Sequence, residues 1–127
     1  MSWRVVPVLG CVDVARSAAW WRDKLGFGLD PDRGIFTARP GGPATYAILD
    51  REGAGVHLQR RDAVRVERDP MHYDAYFYVA GDVDELFAEF VAEGVNVTFA
   101  PCEEEYGMRD FGIETVDGHR INFGSPR

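Results

Sequence analysis

The residues able to do chemistry are few and scattered. Three histidines, His57, His72 and His119, and two cysteines, Cys11 and Cys102, stand far apart along the chain. Imidazole suits proton transfer or a divalent cation, and thiolate suits nucleophilic attack. Cys102 is followed by Glu103, Glu104 and Glu105, however, and adjacent carboxylates raise a thiol pKa rather than activate it. Two cysteines make no disulfide framework and read as reduced thiols. The acidic triplet could hold an acid/base pair, but it reads more simply as a solvated loop or a lip facing a cation. The sequence contains no Gly-x-Ser-x-Gly elbow, Cys-x-x-Cys pair, phosphate loop or dinucleotide Gly-x-Gly-x-x-Gly. Aromatic side chains are plentiful at 13%, and their faces suit flat or cationic ligands.

The elements that position these residues are written twice. Residues 4–12 have a strand pattern, Asp13 is a helix N-cap, and Val14, Ala18, Trp21 and Leu25 form one helical stripe closed by Gly26. Residues 73–79 repeat the strand. Asp82 and Glu85 form a capping box, and Val83, Leu86, Phe87, Phe90 and Val91 form a stripe closed by Gly94. Three strand-like segments follow each helix, at 34–39, 44–50 and 55–60, then at 96–100, 110–116 and 119–124. A glycine-containing turn precedes the last strand of each set, at 51–53 and 116–118. The repeat therefore aligns GVHLQ with RINFG and pairs His57 with Asn122. Trp21 lies on the core stripe, whereas Trp20 lies off it, where it could cover a dimer or domain seam.

The predicted fold class is α+β. Tandem βαβββ modules, 4–60 and 73–124, are joined by a charged linker, 61–72, within a single domain. Their strands are expected to form a cupped mixed sheet with helices on the convex side. Alternation along the strands then assigns faces. Val56, Leu58, Ile121, Phe123, Ala75, Phe77 and Val79 should pack on the helices. His57, Gln59, Asn122, Asp74, Tyr76 and Tyr78 should face the cleft, joined by Tyr46, Phe36, Phe99 and Tyr106. In the first strand, Val5, Pro7 and Leu9 are expected on the helix side. His119 is expected on the helix side or exposed, and His72 in the linker.

The opening VPVLGCVDVARSAAWWRDKLGF and the late stretch YGMRDFGIETVDGHRINFG resemble the vicinal oxygen chelate superfamily, which covers glyoxalases, bleomycin-resistance proteins and extradiol dioxygenases. The resemblance spans essentially the whole chain and is nearest the bleomycin-resistance branch. It departs where Thr115 and Val116 replace the usual Asp-Pro. Metal-dependent relatives place ligands at four inward strand positions. Carried over, these become Val6, the vicinity of His57, Asp74 and Asn122. Val6 has no donor atom and Asn122 is a poor ligand, so two plausible ligands remain, too few to hold a catalytic ion. No metal and no cofactor are expected.

Composition narrows the function further. The chain has 127 residues, 46% of them hydrophobic, and a net charge of -7. That is enough for one core. The acidic balance argues against nucleic acid as a partner. No apolar run approaches the ~20 residues of a membrane helix, and the N-terminus lacks a signal-peptide pattern, so a cytoplasmic protein is expected. The sequence thus reads as a small-molecule-binding protein of the bleomycin-resistance type. It would sequester a flat aromatic, preferentially cationic compound through Tyr46, His57, Gln59, Asp74, Tyr76, Tyr78, Tyr106 and Asn122, without chemistry. A homodimer is the expected assembly, because Pro7 in the first strand suits an edge or an exchanged arm. The alternatives are a metal-dependent lyase, isomerase or dioxygenase with an unconventional ligand set, and a regulatory module whose cleft is empty.

Overall fold

The computed structural model describes residues 1–65 and 69–127, so the expected linker 61–72 lies partly outside the described residues. The chain divides into two compact units, Met1–Arg65 and Val66–Arg127. In the first unit, β1 (Val8–Cys11) leads into α1 (Val14–Leu25), followed by β2 (Gly28–Leu29), β3 (Ile35–Thr37), β4 (Ala44–Arg51) and β5 (Ala54–Arg60). In the second, β6 (Ala75–Tyr78) leads into α2 (Val83–Ala92), then β7 (Asn96–Glu103), β8 (Met108–Glu114) and β9 (Arg120–Pro126). The strands form two mixed sheets, one of five strands along β1-β5-β4-β2 with β3 also on β4, and one of four along β6-β9-β8-β7. In each, the strand before the helix runs parallel to the last strand, and hairpins supply the antiparallel pairs. This is the α+β architecture of tandem βαβββ modules, with pairing confined to one sheet per module.

Helix α1 begins where the Asp13 side chain accepts from Arg16 N, and it ends at Gly26 in the left-handed conformation. Its buried face is Val14, Ser17, Ala18, Trp21 and Leu25. This face packs against β4 and β5, whose Ala47, Leu49, Val56 and Leu58 are buried. Helix α2 starts at Asp82, which accepts from Asp84 N. Phe90 meets Phe111 and Phe123 edge-on, while those two rings stack with Phe77 in a row along the sheet. Burial of such rings supplies most of the stabilisation of so small a unit.

Three details differ from expectation. The first strand begins at Val8 rather than Arg4, leaving Val5 exposed instead of packed on the helix. Pro7 has no N–H for the ladder, and its carbonyl accepts the first bond, from His57 N. The edge opposite β4 is split, since Leu29 pairs with Leu49 and Ile35 with Ala47. Between these pairs Asp30 turns the chain by accepting from Asp32 N and Arg33 N. Val91 is exposed, because it lies roughly a quarter-turn round the helix from the Val83–Phe90 stripe. None of the described helices is long and apolar enough to cross a membrane.

Candidate functional site

In the second unit, the face turned away from α2 carries Tyr76 and Tyr78 from β6, Asn122 and Gly124 from β9, and Asp110 and Gly112 from β8. Asp110 is 0% exposed. Tyr76 donates its hydroxyl to Asp110 Oδ2 at 2.8 Å, and Tyr106 donates to the same oxygen. Burial and then the Asp110 carboxylate push both phenols well above the ordinary tyrosine pKa, so both stay protonated donors. Oδ1 of Asp110 and Oδ1 of Asn122 are buried with no hydrogen-bond partner among the described residues.

Two glycines make this arrangement possible by giving room. Gly124 stands opposite Asp110, and a Cβ there would fall 2.1 Å from the Tyr76 hydroxyl oxygen. Gly112 is the neighbour of Phe99 on β7, and a Cβ there would fall 2.5 Å from the Phe99 ring. Tyr78 is 77% exposed, with its ring centroid 5.4 Å from that of Tyr76.

Asp74 has a different environment. His72 Nε2 lies 3.0 Å from its Oδ1, Arg120 N donates to its Oδ2 at 2.9 Å, and His119 Nδ1 lies 3.8 Å from the same oxygen. His119 is therefore not exposed, because its side chain, 11% exposed, sits beside this carboxylate. Arg120 also donates from Nη1 to Asp69 O, so the group ties the start of β6 to β9. Beside it, Pro70, Tyr73, Thr98, Phe99, Glu104 and Arg120 line an open groove of about 460 Å³.

In the first unit, the corresponding face carries Tyr46, His57 and Gln59, with Tyr46 opposite Gln59. Tyr46 Oη lies 2.8 Å from His57 Nδ1, and the two rings meet edge-on. Burial lowers the His57 pKa below the usual 6.5, and the charges of Arg4 and Arg33 lower it further. Phe36 faces solvent opposite Tyr46.

The resemblance implies metal positions at Val6, the vicinity of His57, Asp74 and Asn122. Val6 has no donor atom and precedes β1. Both Asp74 oxygens are engaged, and Asn122 is a neutral amide. A different group comes together at the β7 edge of the second sheet, where Cys102 stands opposite Asp110. Donor atoms of Cys102, Glu104 and Asp110 lie within 4.8 Å of one another. The Cys102 thiol donates to Glu104 Oε1 at 3.0 Å, and this bond, with burial and the Glu104 charge, pushes its pKa up to about 11. Asp110 is absent from the residues to which the sequence points, and Glu104 stands there only within the acidic triplet read as a solvated loop or a lip facing a cation. An acidic residue at an inward position of an apolar strand was the available signal for Asp110. The cluster itself depends on β7–β8 register, which is irregular between Phe99 and Cys102.

Comparison with known proteins places these geometries in context. A model of the Glyoxalase/Bleomycin resistance protein/Dioxygenase superfamily matches residues 5–123. Among solved structures, TioX from Micromonospora sp. ML1 aligns with TM-score 0.71 at 22% identity, covering 99% of this chain and 100% of that one. The bleomycin-binding protein of bleomycin-producing Streptomyces verticillus, solved with copper(II)-bleomycin, aligns with TM-score 0.71 at 23% identity, covering 100% and 98%. FosX, a fosfomycin resistance protein of Listeria monocytogenes, aligns with TM-score 0.70 at 13% identity, covering 100% and 95%. At these identities the likeness is one of fold. Among curated proteins, no significant match is found.

Proposed function

The chain belongs to the glyoxalase/bleomycin resistance protein/dioxygenase superfamily, and from that premise we propose that it is a cytoplasmic small-molecule-binding protein that sequesters a flat aromatic compound, cations preferred. The observation that carries the reading is the second sheet's open face. There the exposed Tyr78 ring adjoins Tyr76, which lies over the buried Asp110 carboxylate. A cation over these rings gains quadrupole attraction and the field of the carboxylate beneath, without touching it. Sequestration by mass action asks nothing more of the protein than such a surface. The solved bleomycin-binding relative supports the ligand class by analogy of fold.

We also propose a two-fold dimer. Trp3, Val5 and Val8 are exposed along the segment leading into the edge strand β1, an apolar run that a second copy would cover. Light scattering at micromolar concentration should give the mass of two chains, and the mass of one refutes the dimer.

The binding test is a fluorescence titration with a cationic acridine and a neutral isostere, at two salt concentrations. The cation should bind more tightly, and added salt should narrow the difference. Tyr78→Ala should lose about 1–2 kcal/mol of binding, since stacking and cation–π contact are each worth that order. Equal binding of the neutral compound removes the charge preference. Binding untouched by Tyr78→Ala removes the site.

A further inference from the structure

We infer that Cys102, Glu104 and Asp110 form a binding site for a thiophilic divalent cation of the Zn²⁺ class, outside the strand positions that hold metal in the family. One thiol sulfur and two carboxylate oxygens lie within 4.8 Å of one another. In a tetrahedral zinc site, sulfur and oxygen ligands stand about 3.6 Å apart, so small side-chain rotations close the set. Cys102 and Glu104 already stand 3.0 Å apart, joined by the thiol hydrogen bond that a metal would replace.

The second, independent observation is Asp110. It is wholly buried, its Oδ2 takes both phenols, and its Oδ1 has no partner among the described residues. A buried carboxylate oxygen without a donor is costly, and a cation is the strongest group that could satisfy it. Tyr76 and Tyr106 then act as outer-shell donors that orient a ligating carboxylate. The described arginines of this half of the chain have partners elsewhere: Arg109 pairs with Asp84, Arg127 with Glu103, and Arg120 donates to Asp69 O. Glu104 also lines the open groove, so a fourth coordination position would face space that solvent or a ligand can fill.

Binding forms a sulfur–metal bond and breaks the S–H bond. The proton of the thiol, which stands in the hydrogen bond to Glu104 Oε1, passes to the buffer. The experiment is calorimetric titration of Zn²⁺ into the chelator-treated full chain, in two buffers of different protonation enthalpy. A parallel titration with Cd²⁺ is read by the ultraviolet sulfur-to-metal charge-transfer band. One Zn²⁺ per chain, about one proton released per metal and a Cd²⁺ band are expected. Cys102→Ser and Glu104→Gln should each weaken Zn²⁺ binding at least about tenfold, and Cys102→Ser should abolish the band. Both residues lie on the strand end and turn rather than in the helix-packed core, so circular dichroism and melting should match the parent. No Zn²⁺ binding, Cd²⁺ binding without the band, or affinity unchanged in either variant overturns the site; the last would assign the metal to the histidines instead.

Discussion

Gly124→Ala tests whether the Tyr76–Asp110 bond is a built feature or an incidental contact. The new methyl would sit 2.1 Å from the Tyr76 hydroxyl oxygen, 2.9 Å from its ring carbon Cζ and 2.9 Å from Asp110 Cβ. Asp110 is held by the sheet, so the Tyr76 ring must give way, and its hydrogen bond to Oδ2 is lost. A charge-assisted bond is worth roughly 1.5–3 kcal/mol and overpacking costs about 1–3, so a loss of about 2–4 kcal/mol is expected. Tyr76→Ala removes the obstacle, and in that background Gly124→Ala should cost only about 1 kcal/mol, the share of the remaining Asp110 contact. Urea unfolding followed by tryptophan fluorescence closes the cycle. In the glycine variant the Tyr76 phenol should also titrate nearer its ordinary range, because the burial and carboxylate that raise it are gone. A coupling energy under about 0.5 kcal/mol would refute the reasoning, since the two positions would then be independent.

Two further outcomes follow from the packing of His57 and Trp21. His57 has a folded pKa below 6.5, so the unfolded chain takes up a proton first, and stability should fall as pH drops through 6.5 towards the folded value. The difference between the parent and His57→Gln, measured by urea unfolding across that window, isolates the effect; a difference that stays flat or widens in the parent's favour on acidification contradicts it. Trp21→Ala should cost about 3–5 kcal/mol, because the ring is fully buried and packs edge-on against Phe27 at 5.0 Å. A loss under about 1 kcal/mol by thermal unfolding would mean that α1 does not anchor the first unit.

Much of the fold was legible because two periodicities carry it. The Asp13-to-Gly26 and Asp82-to-Gly94 helices were readable from caps and stripes. Of the helix-facing set read from alternation, Val56, Leu58, Phe77, Ile121 and Phe123 are buried, whereas Ala75 and Val79, at the start of the short strand β6 and just past its end, are only half-buried. The errors lie where a single local group outweighs pattern. Pro7 ends the β1 ladder early although its neighbours are all apolar. Asp30 splits an edge strand through two backbone bonds that no periodicity reports. Tyr76 and Tyr78 look equivalent by parity, yet one is pinned to Asp110 and the other is open to solvent. Alternation gives the face of a side chain but not its direction along the sheet.

Register turns that last point into a comparison between the two modules. Aligning His57 with Asn122 equates Tyr46 with Asp110, Ile48 with Gly112, Gln59 with Gly124 and Val8 with Tyr76. Each open face then carries a polar bond between strands, built from different positions: Tyr46 to His57 in the first, Tyr76 to Asp110 in the second. The difference traces to side-chain volume. Where the first module has Gln59 and Ile48, the second has two glycines, and their missing atoms are the space occupied by the Tyr76 hydroxyl and the Phe99 ring. The first face keeps side chains of ordinary size at both positions. The second is cut back to backbone, with a buried carboxylate at its floor and aromatic rings laid across it. Less volume at the repeat-equivalent positions thus gives one scaffold, written twice, two different open faces, and the ligand and metal sites proposed above both draw on the Asp110 that stands beside the second module's glycines.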